Sequence, residues 1–332
     1  MMLTQDEQAM LSGERGEAAA IAMRLVAGAA RLLGADGLIP IASAHIDGCL
    51  YHGDAGVLFA EKLVAAGARV AVPATLNVGA VDLLHPRRSR LAGNRRAMAL
   101  RLMKAYEAMG CRATWTCAPY QAGHRPTAGT DVAWGESNAV AFCNSVLGAR
   151  TNRYGDFLDI TCAIAGRAPR YGLHLAENRL ARLVVDTAAI PSRLKSMDVL
   201  WPVLGTWLGR KSGGRIAVFT GLRGHASEDR MKSLGAAAAS FGAVGLFHIE
   251  GVTPEAPSLT AATGGKAPQA SVKLTLEDIM EARGLLSTAA GGDIGAVAVG
   301  SPHLSLEEML EVGRRLAGRR ARLPFYLHTS RA

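Results

Sequence analysis

The densest group of reactive side chains in this sequence lies between residues 43 and 54. The group contains His45, Asp47, Cys49, His52 and Asp54, and it directly follows the apolar run at residues 38–41. Polar groups at the end of a buried strand occupy the place where open α/β sheets bind ligands, beyond the carboxyl ends of the strands. The segment therefore predicts a site, with His45 and Asp47 as its candidate catalytic residues.

The same residues also have structural interpretations, which the sequence leaves open. Asp47 and Asp54 can hydrogen-bond the backbone of a turn while His45 is a buried imidazole with a satisfied partner. Cys49 is either a thiolate ligand or a small buried hydrophobic side chain, because unpaired cysteine is often buried. Cys117 places a second thiol at the end of a predicted strand.

Four further segments carry polar groups suited to an anionic substrate. Residues 73–79 offer an amide and backbone N–H groups after a strand, and residues 135–145 place two polar side chains on one stripe of an apolar helix. Residues 150–153 combine guanidinium, hydroxyl and amide groups that suit a carboxylate or a phosphate. Residues 300–303 are predicted to form a turn from a strand to a helix, a place that favours anion binding. The candidate residues are Asn77, Ser137, Asn144, Arg150, Thr151, Asn152, Arg153, Ser301 and His303. A plain loop at 73–79 and a solvated helix end at 150–153 are the structural alternatives.

The elements that must position these residues alternate along the chain. The pattern predicts strands over residues 39–44, 69–72, 113–117, 182–185, 215–219, 244–248, 294–299 and 324–328. It predicts helices over residues 6–33, 54–66, 94–109, 228–241, 275–285 and 305–317, the last two with capping boxes at Thr275 and Ser305. Residues 253–269 are rich in Pro, Gly, Ala and Thr and indicate a linker or lid. The alternation predicts an α/β fold, with multi-layer parallel or mixed sheets flanked by helices. A soft boundary separates a site-rich domain (1–190) from a second α/β domain (191–332).

Composition narrows the class of protein. The net charge of +9 is concentrated in arginine runs, but aromatic residues are only 5% and none interleave with those runs, so nucleic-acid binding is disfavoured. Solvated helix faces or a docking surface for an acidic partner explain the charge better. The five cysteines lack CxxC spacing, which argues against a zinc ribbon or a disulfide framework. No apolar run is long enough to span a bilayer, and we expect a cytoplasmic protein with no membrane contact.

Several catalytic schemes lose support because their motifs are absent. The sequence has no GxSxG, no GxxxxGK[ST] and no GxGxxG that opens a helix after a strand. Acyl transfer, P-loop nucleotide chemistry and Rossmann hydride transfer are therefore disfavoured.

Seven motifs, in order, closely resemble the large catalytic region of the aconitase X family. They are SAHIDGCLYHGDAG, VPATLNVGAVDL, TCAPYQAGHRP, AWGESNAVAFCNSVLGARTNRYG, GRAPRYGLHLAENR, FHIEGVTPEAP and GSPHLSLEEM. The resemblance extends over about residues 5–332. The resemblance implies an iron–sulfur hydro-lyase (2Fe-2S, or 4Fe-4S/3Fe-4S) that dehydrates a small anionic hydroxy acid. It also implies a small swivelling partner domain or subunit, which carries the proton-abstracting serine. The abrupt end of the sequence leads us to expect a chain truncated at its C-terminus, with that small domain absent.

The resemblance also implies roles for individual residues. Substrate contacts are expected at Gly48, Cys49, Leu50, Asn77 and Val78, with residues 150–153 lining the pocket. Cluster ligation is expected at Cys117, or at Cys49 in the bacterial DGC form. The sequence departs from the family pattern at Ser301, where many members have a cluster cysteine in a G-C-P-H motif. Because thiolates are the usual ligands, this chain supplies at most two of them.

Three functions follow as expectations. The first is dehydration of cis-3-hydroxy-L-proline, the bacterial activity of the family, by a heterodimer with a small subunit. The second is the large subunit of a mevalonate 5-phosphate dehydratase, the archaeal activity. The third is a non-catalytic scaffold remnant of the family, which the serine at position 301 favours.

Overall fold

A computed structural model of the protein describes residues 1–85 and 91–331, which form two compact units. Unit 1 comprises Met1–Ala139 and Ala149–Asn178, and unit 2 comprises Val140–Gly148 and Arg179–Arg331. The predicted domains, 1–190 and 191–332, stay a prediction. Three arginines of the predicted basic runs, Arg87, Arg88 and Arg90, lie outside the described residues.

Unit 1 is built from short strands and longer helices. Its helices are α1 (Gln5–Ser12), α2 (Glu17–Leu32), α3 (Asp54–Ala65), α4 (Gly93–Ala108) and α6 (Leu158–Ala165), while α5 (Ser137–Phe142) begins in unit 1 and ends in unit 2. Its strands are β1 (Leu38–Pro40), β2 (Ala44–Ile46), β3 (Ala74–Leu76), β4 (Ala133–Trp134) and β5 (Arg167–Pro169). Strands β3-β2-β4 form a parallel sheet in that order, and β1 pairs with β5 antiparallel.

The core of unit 1 explains why these segments are strands and helices. The three residues of β2 and the three of β3 are all buried, as expected for a parallel sheet covered on both faces. The apolar faces of α2, α3, α4 and α6 pack into the same core. Each helix contributes side chains to it, including those of Met23, Leu63, Leu102 and Ile160. This packing fixes the carboxyl ends of the three parallel strands at one edge.

Unit 2 repeats the βα pattern around a longer parallel sheet. Its helices are α7 (Ser192–Lys195), α8 (Leu200–Lys211), α9 (Glu228–Gly242), α10 (Leu259–Thr263), α11 (Leu276–Gly284) and α12 (Leu306–Leu316), and a π-helix spans Cys143–Leu147. Its strands are β6 (Leu183–Asp186), β7 (Ala217–Thr220), β8 (Phe247–Ile249), β9 (Ala270–Lys273), β10 (Val297–Leu304) and β11 (Phe325–Thr329). Strands β8-β7-β6-β9 form one parallel sheet, and β10 pairs with β11 parallel. The capping boxes predicted at Thr275 and Ser305 are both confirmed.

Several local predictions were wrong. The helix predicted over residues 6–33 is two helices, because Gly13 ends α1 in the left-handed conformation with φ +96°. The predicted strand at 39–44 is divided between β1 and β2. Residues 69–72 and 113–117 are not strands, and the strand paired with β2 begins instead at Ala74. The short helix α10 lies within residues 253–269, for which a linker or lid stays a prediction.

The observed architecture confirms the predicted fold class, α/β with parallel sheets flanked by helices. Across residues 1–85 and 91–331, no helix combines the length and the apolar character needed to cross a membrane.

Candidate active site

The candidate site in unit 1 is formed where its three parallel strands end. Asp47 follows β2, Asn77 follows β3, and Glu136 lies two residues beyond β4. Because the strands are parallel and adjacent in the order β3-β2-β4, these three polar residues lie at the same edge of the sheet. The sequence predicted the first two as site residues and missed the third.

Asp47 and Asn77 are joined by a hydrogen bond in which the side-chain amide of Asn77 donates to Oδ1 of Asp47. Asn77 is 3% exposed, and its backbone N–H donates to the carbonyl of Ile46 over 2.9 Å. Its Oδ1 is buried and has no partner among the described residues. Burial raises the pKa of Asp47, and the bond from Asn77 opposes that shift. Asp47 can therefore hold a proton nearer neutral pH than an ordinary aspartate.

The turn after β2, residues 47–50, is fixed by a buried carboxylate on α6. Oδ2 of Asp159 accepts from the backbone N–H of Asp47 over 2.7 Å and from that of Gly48 over 3.1 Å. The turn closes on itself because the N–H of Leu50 donates to the carbonyl of Asp47 over 3.1 Å. Burial raises the pKa of Asp159 to about 7, although its backbone hydrogen bonds oppose the shift.

Gly48 is a glycine because another residue would collide with the core. A Cβ at this position would lie 2.7 Å from the hydroxyl oxygen of Tyr106, closer than real Cβ contacts allow. The Tyr106 hydroxyl is itself buried and has no hydrogen-bond partner within the described part of the chain. The turn therefore packs backbone directly against the phenol ring.

Glu136 precedes α5 and caps it. Its carboxylate accepts from the backbone N–H of Asn138 over 3.0 Å and from that of Ala139 over 2.6 Å. Burial of the carboxyl group raises the pKa of Glu136 to about 7, and the charge of Asp47 adds to the shift. Ser137, the predicted contact next to it, is half-buried and lies 3.4 Å from the same carboxylate through its hydroxyl.

His45 is fully buried in a chain of hydrogen bonds below the strand ends. The Thr75 hydroxyl lies 2.9 Å from Nδ1 of His45 and 2.7 Å from Nδ1 of His124, whose Nε2 lies 2.9 Å from the Ser43 hydroxyl. Burial lowers the pKa of His45 to about 3 and that of His124 to about 4. Both imidazoles are therefore neutral at physiological pH. Since the Thr75 hydroxyl can donate to only one of the two rings, at least one of the histidines carries its proton on Nδ1.

Residues 150–153 border β4. The backbone of Arg150 pairs with Asp131 and Val132, and its side-chain Nε is buried without a partner among the described residues. The Thr151 hydroxyl accepts from the N–H of Trp134 over 3.0 Å. The Asn152 side chain bonds the backbone of Tyr171 and Leu173, which makes it structural. Arg153 is exposed.

Three predicted contact residues belong to unit 2. The Asn144 amide bonds the carbonyl of Gly245 over 2.9 Å and accepts from Arg179, which is ion-paired with Glu255. His303 lies on β10 and is partly buried, which lowers its pKa to about 4. Ser301, on the same strand, is exposed. The three residues therefore belong to a different compact unit from Asp47 and Asn77.

Residues 1–177 match the family model described as aconitase X first domain, and residues 181–284 match aconitase X second domain. The chain belongs to the aconitase X family. The family resemblance predicted from the seven motifs is confirmed.

Characterised members of the aconitase X family cover nearly all of this chain. Cis-3-hydroxy-L-proline dehydratase of Pseudomonas aeruginosa is 44% identical over 95% of this chain and 54% of that protein. The phosphomevalonate dehydratase large subunit of Methanothermobacter thermautotrophicus is 39% identical over 99% of this chain and 80% of that protein. The crystal structure of Thermococcus kodakaraensis aconitase X, in its holo-form, is similar with a TM-score of 0.88 at 35% identity, covering 100% of this chain and 82% of that one. The chain thus spans about half the length of the P. aeruginosa dehydratase.

The cysteines of this aconitase X chain differ in how well their surroundings suit ligation of an iron–sulfur cluster. The Cys49 thiol is fully buried and lies 3.3 Å from the carbonyl oxygen of Asn77 and 3.4 Å from that of Ile46. Burial and the charges of Asp159 and Asp47 raise its pKa well above the usual value, so the site favours a thiol over a thiolate. Cys117 is half-buried, and its carbonyl accepts from the Asn138 amide over 3.1 Å.

The other cysteines, Cys111, Cys143 and Cys162, are buried, and burial raises the pKa of each thiol. In residues 1–85 and 91–331, no three His, Cys, Asp or Glu side chains are arranged to hold a metal ion. Clusters are usually held by several thiolates. The described residues of this chain therefore do not by themselves make a complete ligand set.

Proposed function

We propose that this chain is the large catalytic part of an iron–sulfur-dependent hydro-lyase that dehydrates cis-3-hydroxy-L-proline. The observation that carries the proposal is the Asp47–Asn77 pair beside the turn at residues 47–50, at the carboxyl ends of β2 and β3. The similarity to the P. aeruginosa dehydratase supports the same reaction. The proposed enzyme acts in the cytoplasm with a small partner domain or subunit.

The electrostatics of the site support an amino-acid substrate over a phosphorylated one. Asp47, Glu136 and Asp159 lie at or next to the strand ends, and the charge of Asp47 raises the pKa of the other two carboxyl groups. Across the described residues, none of the three forms an ion pair with a lysine or arginine. A phosphate dianion at this edge would be repelled, whereas the ammonium group of a hydroxyproline would be attracted.

The residues of this chain then have distinct tasks in the reaction. Dehydration transfers the proton of the α-carbon to a base, for which the family resemblance implies a serine of the small partner, and releases hydroxide from the β-carbon as water, leaving a cyclic enamine. Arg150, Arg153 and Asn77 position the substrate carboxylate by charge and hydrogen bonding. Asp47, with its raised pKa, gives its proton to the departing hydroxyl. His45 is neutral and buried, and it stabilises the strand end through Thr75.

The iron–sulfur cluster is proposed for this chain because the family resemblance implies it. Cys117, which is half-buried, is its proposed ligand in this chain, whereas the buried surroundings of Cys49 favour the thiol. The remaining ligands must come from elsewhere in the assembly.

A second candidate is the large subunit of a phosphomevalonate dehydratase, because the M. thermautotrophicus large subunit is 39% identical over 99% of this chain. A non-catalytic scaffold is the third candidate, since Ser301 stands where many family members have a cysteine.

One experiment separates the three. The chain is co-expressed with its small partner, reconstituted anaerobically with iron and sulfide, and assayed against cis-3-hydroxy-L-proline, trans-4-hydroxy-L-proline and mevalonate 5-phosphate. We expect dehydration of the first alone, and loss of that activity in the Cys117→Ser variant. Turnover of mevalonate 5-phosphate instead would establish the second candidate. A reconstituted assembly that absorbs visible light but turns over nothing would support the scaffold. Full activity in Cys117→Ser would contradict the ligand assignment.

A further inference from the structure

The carboxyl edge of the sheet in unit 2 carries polar groups that the proposed reaction does not use. Strands β7 and β8 lie on one side of β6 and β9 lies on the other, so the order of the parallel strands reverses beside β6. Open α/β sheets bind ligands beyond the carboxyl ends of their strands, near such a reversal. The segments that follow β6 and β7, residues 187–195 and 221–225, are therefore where a ligand of unit 2 is expected.

Lys195, on α7, is a buried cation that the protein leaves without an anion. The residue is 7% exposed, and its ammonium forms no hydrogen bond or ion pair within the described part of the chain. Lys232 of the same unit is buried as well, but it lies 3.0 Å from Asp229 and also pairs with Glu308. Since a buried ammonium without an anion is costly, the comparison indicates that the anion for Lys195 comes from solution.

The Lys195 ammonium lies beside the bare backbone of Gly221. Gly221 is exposed and adopts the left-handed conformation with φ +79°. A Cβ at this position would lie 3.6 Å from Nζ of Lys195 and 3.0 Å from the hydroxyl oxygen of Thr187. That hydroxyl donates to the carbonyl of Thr220 over 2.7 Å, so its proton is already used. Because glycine has no side chain, the position next to the ammonium stays open for a ligand.

The carboxylates closest to Lys195 in the sequence are engaged elsewhere. Oδ1 of Asp186 accepts from the backbone N–H of Ala188 over 2.8 Å. Asp198 pairs with Arg230 over 2.8 Å. Among the residues that the structure describes, neither aspartate forms an ion pair with Lys195. The positive charge at this edge of the sheet is therefore not neutralised by its neighbours in the chain.

The turn that follows β7 is fixed against α7 and has free backbone donors. Nδ1 of His225 lies 3.0 Å from the hydroxyl of Ser196, and Nε2 lies 3.3 Å from that of Ser192. Gly221 and Arg223 are exposed, and across residues 1–85 and 91–331 their N–H groups have no acceptor. The turn thus combines backbone N–H groups with an arginine side chain, beside the helix that carries the unpaired lysine.

We propose that unit 2 has an anion-binding site at the carboxyl ends of β6 and β7, where Lys195 and the turn at residues 221–224 bind a phosphate group. A lysine ammonium attracts phosphate as a point charge, and the N–H groups of a glycine-containing turn donate to its oxygens. A carboxylate, with two oxygens and a single charge, uses fewer of these donors. The site goes beyond the proposed dehydration, and its test needs no active enzyme.

The test is isothermal titration calorimetry of sodium phosphate into the full chain at constant ionic strength. Lys195→Met is compared with the control Lys266→Met, which removes the same charge from an exposed lysine of unit 2. Loss of a charged hydrogen-bond donor should weaken phosphate binding by about 10-fold or more in Lys195→Met, whereas Lys266→Met should bind as the wild type does. Phosphate should also raise the thermal unfolding temperature of the wild type and of the control, but not that of Lys195→Met.

Two further ligands, glycerol 3-phosphate and sodium acetate, define the chemistry of the site. Tighter binding of glycerol 3-phosphate than of inorganic phosphate would support a site for a phosphorylated metabolite, and weaker binding would support a site for free phosphate. Acetate that binds as tightly as phosphate would overturn the proposal, as would equal weakening in both lysine variants or a wild-type Kd above about 10 mM. Should Lys195→Met not fold, Lys195→Gln, which keeps a polar end, is judged by the same comparison.

Discussion

Asp159 makes the stability of unit 1 depend on pH in a direction opposite to that of an ordinary ion-paired aspartate. Burial raises its pKa from 3.8 to about 7 in the folded protein. Because the folded state binds the proton more tightly than the unfolded state, the stability that comes from protonation is present at low pH. It is lost as the pH rises from about 4 to about 7.

The size of the effect follows from the shift. A shift of about three pKa units changes the free energy of unfolding by about 4 kcal/mol over the whole pH range from about 4 to about 7. Between about pH 5.5 and pH 8 the linkage relation assigns about 2 kcal/mol of this to Asp159. Asparagine has no such proton equilibrium, so Asp159→Asn should remove that part of the pH dependence, whatever its effect on absolute stability.

The assay is urea unfolding at those two pH values, followed by hydrogen exchange of the peptides around Trp134, which is fully buried in unit 1. The wild type should lose about 2 kcal/mol more than Asp159→Asn on going from the lower to the higher pH. Asp36→Asn is the control. Arg170 lowers the pKa of Asp36 through a side-chain hydrogen bond, so that residue titrates below the measured range and the variant should parallel the wild type. Parallel profiles for wild type and Asp159→Asn would refute the reasoning.

Three other substitutions have defined outcomes. Gly48→Ala should destabilise unit 1 by about 1–3 kcal/mol. Adding Tyr106→Phe should recover part of that loss, because the collision is with the phenol oxygen. A double variant whose loss of stability in thermal denaturation equals the sum of the two single losses would contradict this. Asn77→Ala removes the bond that lowers the pKa of Asp47, so the alkaline limb of the kcat/KM profile should move to higher pH, and an unmoved limb would exclude Asp47 as the proton donor. Lys232→Met leaves two carboxylates of unit 2 without their cation and should cost about 2 kcal/mol or more, measured by chemical unfolding; a cost near zero would show that the network contributes nothing.

The sequence predicted most accurately the elements whose signals are local. The helix starts at Thr275 and Ser305 are set by side chains three residues apart, and both capping boxes are present. The runs at 69–72 and 113–117 were wrongly predicted as strands. Their apolar composition reflects burial, whereas strand pairing depends on a partner that a local pattern does not reveal. Residues 114–116 bond the backbone of Leu76 only through isolated contacts.

The candidate site was partly visible in the sequence for a similar reason. Asp47 and Asn77 each follow an apolar run, so their place at a strand end could be predicted. Glu136 was missed because β4 has only two residues and leaves almost no signal. A lone aspartate in an apolar helix was the one available clue to Asp159, and nothing local indicated its partner.

The sequence by itself determined the α/β class, the aconitase X family and the chemistry available in the segment that contains His45, Asp47 and Cys49. Only the tertiary structure decided how that chemistry is distributed. Parallel pairing brings Asp47 and Asn77 together, burial makes His45 neutral and keeps Cys49 as a thiol, and α6 supplies the carboxylate that holds the turn. The physical reason is that protonation states and backbone conformation depend on desolvation and on partners distant in the chain, neither of which a local pattern contains.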